Sequence, residues 1–154
     1  MKNKLFYALI IVIAFFSLWS IAQERFLNES DGETDRVTEL RLGDKTIKAV
    51  VAKTEGEKSQ GLSGKQKIAD NEGMFFPFDQ EGQYYFWMQN MHFPIDIVWL
   101  DKDYKIVDLT KNLKPDSYPN SITSQKPAQF ILEINAGLSD KYQLKIGDTV
   151  DKIN

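Results

Sequence analysis

From residue 37 to the end of the chain, apolar residues recur at a period nearer two than 3.6, which indicates strands rather than helices. The segments 37–42 and 46–52 flank the turn pair Gly43-Asp44, which predicts a strand, a turn and a strand. Further strands are predicted at 73–78, 84–91, 95–100, 104–109, 129–134 and 148–153. Seven or eight short strands predict a mainly β fold, as a single compact sandwich or barrel-like domain.

Helices are predicted to be few and short. Thr54 with Glu57 three residues later forms a capping-box pattern, so a short helix is expected to follow. A second helical turn is expected at 139–144. Pro77 lacks an N–H group, which predicts that its strand lies at an edge of the sheet or ends there. Three prolines between 110 and 127 predict a long irregular loop.

The N-terminal segment 5–22 carries no charged residue and follows two lysines. As a helix it would span roughly 27 Å, close to the roughly 30 Å hydrocarbon core of a bilayer. Residues 20–22, Ser-Ile-Ala, also fit the small-residue pattern before a signal-peptide cleavage site. We therefore expect residues 1–22 to be either a signal peptide, cleaved after Ala22, or an uncleaved N-terminal membrane anchor. Both place the domain outside the cytoplasm, as a membrane-anchored or a secreted or periplasmic protein.

Composition and charge exclude several classes of protein. Residues 23–36 are polar and acidic, which predicts a solvated linker to an exported β-rich domain at 37–153. The chain has no cysteine, which excludes disulfides, cysteine–zinc sites, iron–sulfur clusters and thiol catalysis. Without the lysines at positions 2 and 4, the 19 basic and 22 acidic residues leave a net charge of −5. A nucleic-acid binder needs a basic face, so no nucleic-acid partner is expected.

Aromatic residues are concentrated in the middle of the domain. Nine of them fall between 75 and 99, and no Lys or Arg occurs between Ile68 and Asp101. Most are expected in the core, because strands buried on both faces have such runs. Aromatic faces also attract apolar sugar faces and cations, so the same block favours a ligand site. The ligand-binding residues expected from it are Trp87, Met88, Asn90 and His92.

Three side chains are candidates for acid–base chemistry. His92 is the single histidine and lies four residues before Asp96. Asp96 and Glu133 each lie within an apolar strand, where they either face solvent or converge as a carboxylate pair for acid–base work or a divalent cation. The catalytic candidates are therefore His92, Asp96 and Glu133, although His92 can equally bond its own loop. One histidine cannot build a histidine-cluster zinc site, and no metal or cofactor is expected.

Five motifs occur in order along the chain: GLSGK at 61–65, EGMFF at 72–76, FWMQNMHFPIDI at 86–97, ILEINAG at 131–137 and the pair Gly147-Asp148. Together they resemble the domain of unknown function 192 family, also called uncharacterised protein family 0127, over residues 37–153. The resemblance implies a small, mostly β, sandwich- or barrel-like domain, often behind a signal peptide or anchor, and it implies no particular activity. Two residues depart from the family pattern. The family usually has Arg at the position of Lys65, and it often has Lys at the position of Gln89. A mechanism that depends on either cation is therefore not expected here.

Three functions are compatible with these features. The favoured one is a non-catalytic binding module of the cell envelope, whose aromatic-lined site takes a glycan, a peptide or a small molecule. The first alternative is a hydrolase or lyase that uses His92 with Asp96 or Glu133. The second alternative is a structural or assembly partner of a membrane protein, against which the aromatic face packs.

Overall fold

The structure, a computed structural model, describes residues 36–153. The predicted signal peptide or membrane anchor at 1–22 lies outside the described residues, as does the predicted linker at 23–36 except for its last residue. Within 36–153, no helix has both the length and the apolar character needed to span a membrane. A compact unit begins at Val37.

Nine strands form within the described residues, and the fold is mainly β, as predicted. Three of the strands are only two residues long, and the other six build most of the sheet. Their bounds are β1 Val37–Leu42, β2 Lys45–Val51, β3 Glu72–Gly82, β4 Phe86–Trp87, β5 Ile95–Leu100, β6 Ile106–Leu113, β7 Ser121–Ile122, β8 Ala128–Asn135 and β9 Asp151–Lys152.

Among residues 36–153, two short α-helices and one 3₁₀ turn connect the strands. Helix α1 (Glu55–Gln60) begins at Thr54, whose hydroxyl accepts a hydrogen bond from the Glu57 N–H. The Glu57 carboxylate in turn accepts one from the Thr54 N–H, so the predicted capping box is confirmed. Helix α2 (Leu138–Lys141) is shorter than the predicted helical turn, and the 3₁₀ turn covers Pro115–Ser117.

Seven strands form one sheet in the order β6-β5-β8-β3-β2-β1-β9. Neighbouring strands are antiparallel except β2 and β3, which are parallel because α1 and the loop after it form a crossover between them. The sheet curls into a half-barrel. Strands β4 and β7 pair with each other in a separate two-stranded ribbon. Of the two predicted architectures, the single curled sheet matches the barrel-like one.

Two hydrophobic cores lie on the two faces of this sheet. Successive residues of the central strands alternate between them, so that Phe75 and Leu132 belong to the first core and Phe76 and Ile131 to the second. The first core also includes side chains from β1 and β2. The second core extends to residues of the connecting loops, Leu62, Met88 and Met91.

Phe86 packs the two-stranded ribbon against the sheet. Its ring centroid lies 5.0 Å from that of Phe76 and 5.4 Å from that of Trp99, and both ring pairs are nearly perpendicular. Edge-to-face pairs of this kind contribute about 1 kcal/mol each beyond the burial of apolar area. Because consecutive strand residues point to opposite sides, the burial of Phe86 turns Trp87 outward.

Several predicted elements differ in the structure, among them the strand expected at 148–153, which is a strand only at Asp151–Lys152. The strand expected at 84–91 is a strand only at Phe86–Trp87, because Asn90 has a φ of 55° and turns the chain. The irregular loop expected at 110–127 instead contains the end of β6, the 3₁₀ turn and β7. The prolines and polar residues of this segment give no local pattern that predicts strands. The end of β6 forms because it pairs with β5, and β7 forms because it pairs with β4.

Pro77 lies in an internal strand rather than in an edge strand of the sheet. Strand β3 pairs with β8 on one side, while on the other side its pairing with β2 ends at Phe75. At Pro77 the strand has therefore lost its second neighbour, and a residue without an N–H group is tolerated there. The prediction that this strand lies at an edge or ends at Pro77 is wrong, because β3 is internal and continues to Gly82, although the position of Pro77 is locally edge-like.

Replacing Gly73 by alanine should destabilise the domain. A Cβ atom on Gly73 would lie 2.6 Å from the backbone carbonyl oxygen of Glu133, well inside van der Waals contact. We expect Gly73→Ala to lower the free energy of unfolding by about 2–3 kcal/mol in urea denaturation. The control is Gly56→Ala in α1, where a Cβ atom meets only the Thr54 hydroxyl at 3.9 Å, and which should stabilise by up to about 1 kcal/mol. Similar effects of the two substitutions would contradict this close packing.

Candidate functional site

Glu133 lies in the middle of β8, between β3 and β5, with Met74 and Ile97 as its paired neighbours. The residue is 5% exposed. One of its carboxyl oxygens, Oε2, is buried and has no hydrogen-bond partner among residues 36–153. Native proteins almost always pair such an atom, so an unpartnered buried carboxyl oxygen calls for a specific explanation.

Burial raises the pKa of Glu133 to about 8, well above the usual value for a glutamic acid. Desolvation is the cause, since the paired neighbours Met74 and Ile97 are apolar and offer neither a positive charge nor a hydrogen-bond donor. At neutral pH the carboxyl group is therefore mostly a neutral acid, which can both donate and accept a hydrogen bond. Acids with perturbed pKa values are concentrated at functional sites.

A partly open cavity of about 30 Å³ borders Glu133. This volume is enough for about two water molecules. Leu62, Phe86 and Met91 form its apolar wall, and each is at least nine-tenths buried. Ser59, Gln60 and Ser63 line it as well, so the cavity combines one neutral acid with both apolar and polar groups, as sites for small polar ligands do.

The turn at Gly61 ends α1 beside the Glu133 carboxyl group. A Cβ atom on Gly61 would lie 3.6 Å from Glu133 Oε2, so the backbone of this residue forms part of the cavity wall. Gly61 has φ 51° and ψ −133°, and the Ser63 N–H donates to the Gln60 carbonyl at 3.0 Å, which defines a type II′ turn. Glycine adopts this conformation without strain, so the GLSGK segment is shaped to pass close to the buried acid.

Two hydrogen bonds join this turn to the segment after β4. The Ser63 hydroxyl donates to the Gln89 carbonyl at 2.7 Å, and the Gly64 N–H donates to the Asn90 carbonyl at 2.9 Å. Asn90 has a left-handed backbone, which asparagine tolerates better than most residues. The backbone of Asn90 therefore supports the shape of the cavity, while its side chain is at the surface.

Tyr85 and Trp87 form an aromatic rim around the cavity. Tyr85 is 60% exposed and Trp87 is 40% exposed, whereas Phe86 between them is buried. Large exposed aromatic side chains beside a cavity are a common feature of binding surfaces, because they bury much apolar area when a ligand covers them.

Lys58 is the one cation among the described residues that line this cavity. Its ammonium group bonds the Glu55 carboxylate at 3.0 Å and lies 4.5 Å from the ring centroid of Phe78. The charge of Lys58 is therefore already paired. This agrees with the high pKa of Glu133, which a free ammonium group nearby would lower.

Asp96 lies on the opposite face of the sheet from Glu133. Strand pairing sets Asp96 opposite Ile134 and sets Glu133 opposite Ile97, so the two acids are offset by one residue across the β5–β8 pair. Paired residues share a face and adjacent residues alternate, so the two side chains point in opposite directions. The carboxylate pair considered from the sequence therefore does not form.

The Asp96 carboxylate instead connects three backbone segments. It accepts hydrogen bonds from the Asn112 N–H at 2.8 Å and from the Ser139 N–H at 2.9 Å. The second bond caps the N-terminus of α2, where a negative charge is favourable and where no side chain of the helix itself supplies a cap. Asp96 is thus fully engaged in holding β6 and α2 against β5.

The cavity contains only one of the four ligand-binding residues expected from the sequence, Trp87. Met88 is 2% exposed and belongs to the second core. His92 is at the surface, and within residues 36–153 neither Asp96 nor Glu133 makes a hydrogen bond with it. The structure therefore brings together Trp87 and Glu133, and it leaves the other candidates outside this cavity, namely Met88, Asn90, His92 and Asp96.

Several cavity residues were not expected from the sequence. The sequence could have predicted the position of Tyr85, because strand alternation places it on the same side as Trp87. It could not have predicted the positions of Gly61 and Leu62, because they lie beside Glu133 through contacts between segments about seventy residues apart. The quoted motifs GLSGK and ILEINAG contain these residues but do not say that they meet.

Two other features of the described residues were considered as candidate sites, and neither is favoured over the cavity at Glu133. Within 36–153, no group of three or more His, Asp or Glu side chains is placed to hold a metal ion. A larger groove of about 430 Å³ is lined by residues of β1, β2, β3 and α1, including Val37 and Met74. None of the unpartnered buried side-chain atoms found in the described residues belongs to its lining.

The described residues form a small, mainly β half-barrel domain with a buried protonatable acid beside a glycine turn. The chain belongs to the domain of unknown function 192 (DUF192) family, described as "Uncharacterized ACR", whose match covers residues 38–152. The family resemblance predicted from the sequence is confirmed. No curated protein matches the chain.

Two solved structures share this fold. One is the crystal structure of a protein of unknown function from Novosphingobium aromaticivorans, with 28% identity and a TM-score of 0.68, covering 75% of this chain and 82% of that chain. The other, from Sinorhizobium meliloti, is provisionally described as a transcription regulator. It has 24% identity and a TM-score of 0.69, covering 75% of this chain and 92% of that chain.

The raised pKa of Glu133 predicts a pH dependence of stability with a definite sign. The folded-state pKa of Glu133, about 8, exceeds the ordinary value of 4.5. The free energy of unfolding therefore has its full contribution from protonated Glu133 below the ordinary pKa. This contribution is lost as the pH rises from there through the folded-state pKa. Glu133→Gln stays neutral, so it should avoid this loss. At about pH 9 its free energy of unfolding should exceed that of the wild type by on the order of 3 kcal/mol.

Urea denaturation between about pH 5 and pH 9 checks this prediction, since the slope of stability with pH reports proton uptake. The exposed substitution Asp116→Asn serves as the control and should keep the wild-type slope. A wild-type slope in Glu133→Gln would contradict the assignment of a neutral buried acid.

Replacing Asp96 by asparagine should destabilise the domain by about 2–4 kcal/mol. An amide has one acceptor oxygen, so its NH₂ group would face one of the two N–H donors, that of Asn112 or that of Ser139. Thermal and urea unfolding measure the loss, with Asp103→Asn at an exposed turn as a control that should change stability by less than about 0.5 kcal/mol. Equal stability of the two variants would show that Asp96 is not a structural residue.

Proposed function

We propose that the chain is a non-catalytic, exported binding module of the cell envelope. Residues 5–22 form an apolar helix that anchors it in the membrane, or they are removed by cleavage after Ala22. The binding site is the cavity between the Glu133 carboxyl group and the Trp87 ring, and its ligand comes from the envelope.

The observation that carries this proposal is the unpartnered Oε2 atom of Glu133. Leaving such an oxygen buried without a hydrogen bond costs about 1–3 kcal/mol of folding free energy, which a ligand bonded to it would offset. Typical sites for whole small molecules have several hundred Å³. A cavity of about 30 Å³ therefore suits one functional group of a larger ligand, whose remainder would cover Tyr85 and Trp87.

A hydrolase or lyase is the first alternative, and the high pKa of Glu133 favours it, because a protonated acid in a cavity is suited to general acid catalysis. Such an enzyme also needs a base, a nucleophile or a second acid. The described lining of the cavity holds no second carboxylate and no histidine, and the hydroxyls of Ser59 and Ser63 have no adjacent base there. These observations support binding over turnover.

An assembly role is the second alternative, in which Tyr85 and Trp87 pack against a membrane protein. Their combined exposure favours a partner of some kind. A flat protein contact, however, gives no reason for an acid to be buried beneath it. Crosslinking in membranes would separate the two, since an assembly partner would be captured at Trp87 regardless of the side chain at position 133.

The provisional description of the Sinorhizobium meliloti protein as a transcription regulator offers a further comparison. At 24% identity this likeness concerns the fold alone. The chain carries 22 acidic and 19 basic residues, so it lacks the excess of positive charge that binding to phosphates requires. We therefore do not propose that this chain binds nucleic acid.

A binding screen of envelope glycans and peptides against the full-length chain in detergent tests the proposed function. At least one ligand should bind and should be weakened about tenfold or more by Trp87→Ala. The matched control is Tyr118→Ala, an aromatic residue that is 47% exposed and lies outside the cavity. If no ligand distinguishes these two variants, while circular dichroism shows both to be folded, the proposed function is wrong.

A further inference from the structure

We propose that this cavity receives the ammonium group of a lysine side chain from an envelope peptide, an inference that rests on the proposed function. The buried carboxyl group of Glu133 becomes the counter-charge of that ammonium group. The exposed rings of Tyr85 and Trp87 cover the alkyl stem that carries it.

The positive charge of the ligand follows from the lack of a counter-charge at Glu133. Buried acids in proteins are normally hydrogen-bonded or paired with a cation, whereas Oε2 of Glu133 has no partner among residues 36–153. Lys58 is the one cation in the described lining, and its ammonium group bonds the Glu55 carboxylate at 3.0 Å. Burial alone raises the pKa of Glu133, so no neighbouring charge contributes to that pKa. A cation from outside would therefore supply the partner that the fold omits.

The groups that face Glu133 from the surrounding elements do not compete with such a cation. From β3 and β5 its paired neighbours are Met74 and Ile97, which are apolar. From α1 the facing charge is that of Lys58, which is already paired, and from the ribbon the titratable group is Tyr85. The carboxyl group is therefore free to respond to the charge of a ligand.

A cation is favoured here because folding has already removed water from the acid. An ion pair in a protein interior usually loses much of its attraction to the desolvation of both charges. The desolvation of Glu133 occurs during folding and is expressed in its pKa of about 8. At pH 7 the ligand must displace one proton from the carboxyl group to the solvent, which costs about tenfold in affinity. Contact between the two charges gains on the order of a thousandfold at an effective dielectric constant of about 20.

The polar part of the cavity lining suits an ammonium group. Such a group donates three hydrogen bonds and accepts none. Besides the carboxylate, the lining includes Ser59, Gln60 and Ser63, which have hydroxyl and amide oxygens that can accept. The Ser63 hydroxyl donates its proton to the Gln89 carbonyl, so its oxygen remains an acceptor. The volume of about 30 Å³, enough for about two water molecules, admits an ammonium group and the methylene next to it.

The lysine side chain follows from the depth and the width of the site. Glu133 is only 5% exposed and the cavity is small, so the charged group must stand on a slender stem. Lysine carries a compact ammonium group on a flexible four-carbon stem, whereas the guanidinium group of arginine is a wider planar fork. In an amino sugar the ammonium group is bonded directly to the ring, which is too wide to follow it into this cavity.

The aromatic rim suits both the stem and the approaching charge. Tyr85 and Trp87 are 60% and 40% exposed. Aromatic faces attract cations, and the methylene groups of a lysine side chain bury apolar area against such rings. No Lys or Arg occurs between Ile68 and Asp101, the stretch that contains both rings, so no basic side chain of that stretch repels the ligand.

The experiment compares short peptides that differ at one residue. The peptide Gly-Xaa-Gly, with both ends blocked, carries lysine, norleucine, acetyl-lysine or trimethyl-lysine at its central position. Each is titrated into the full-length chain in detergent by calorimetry at about pH 7. The lysine peptide should bind at least about tenfold more tightly than the other three. Norleucine and acetyl-lysine lack the charge, and trimethyl-lysine is too wide for the cavity and has no N–H donor.

Proton release is a second readout, and it is specific to Glu133. Because the acid is protonated when the site is empty and ionised when it is filled, the affinity for the lysine peptide should rise about fiftyfold from pH 6 to pH 8. Calorimetry at about pH 6 in buffers of different ionisation enthalpy should show the release of about one proton per bound peptide. An affinity that is constant or falls over this range would overturn the proposal.

Variants separate recognition from folding. Glu133→Gln stays neutral and of similar size, so it should lose about tenfold or more in affinity and release no proton, while its unfolding temperature shows it to be folded. The control Asp116→Asn, an exposed acid outside the cavity, should keep the wild-type affinity and proton release. A merely structural role of Glu133 would leave the pH dependence of binding unchanged in Glu133→Gln.

Each contrary result has a definite meaning. Equal binding of the trimethyl-lysine peptide would place the cation at the aromatic rim alone and overturn the role of Glu133. Equal binding of the norleucine peptide would overturn the ammonium group, and tighter binding of a glucosamine disaccharide would overturn the lysine side chain in favour of an amino sugar. If no peptide binds while another envelope ligand is weakened by Trp87→Ala, the lysine proposal alone fails. If no ligand responds to Trp87→Ala, the proposed function fails with it.

Discussion

The position of β8 between β3 and β5, with both faces buried, is the constraint on which the rest of the domain depends. A strand in this place must fill two cores with alternate residues, so a shift of one residue would exchange the cores. Gly73 strengthens this constraint, because its missing side chain allows the β3 backbone to approach Glu133 more closely than any other residue would. The position of Glu133 at the cavity follows from which residue of β8 faces which side.

The strand register places the two buried acids in different environments on opposite faces of the sheet. Asp96 faces the first core, where two backbone N–H groups donate hydrogen bonds to its carboxyl group and make it part of the framework. Glu133 faces the second core, where its paired neighbours are apolar and the Gly61 turn passes beside it. Two acids in similar apolar strands therefore differ in chemistry because one has donors and the other has none. The difference in environment, rather than residue type, separates a structural acid from one available to a ligand.

Much of the fold could be predicted from the sequence, and the site could be predicted only in part. The capping box of Thr54 and Glu57 and the alternation of β1 and β2 are local patterns, and both were correct. The relation of Asp96 to Glu133 could not be predicted, because it depends on the register between strands 37 residues apart along the chain. The role of Gly61 was hidden for the same reason, since a glycine in a loop does not show which side chain its backbone approaches. Trp87 lines the cavity because alternation beside a buried Phe86 is again a local pattern, and its role in ligand binding stays a prediction.

The remaining question is why a small domain without disulfides should keep a destabilising acid in its second core. Leucine or methionine at position 133 would fill similar space beside Met74 and Ile97, and it would need no hydrogen bond. The edge-to-face contacts of Phe86 with Phe76 and Trp99 already fix the ribbon over this face, so the acid is not needed to specify the packing. The Gly61 turn, moreover, passes beside the carboxyl group without offering it a bond to Oε2. An acid that the fold does not require, and that the surrounding backbone leaves unpaired beside an opening to solvent, is best explained by a partner that arrives from outside.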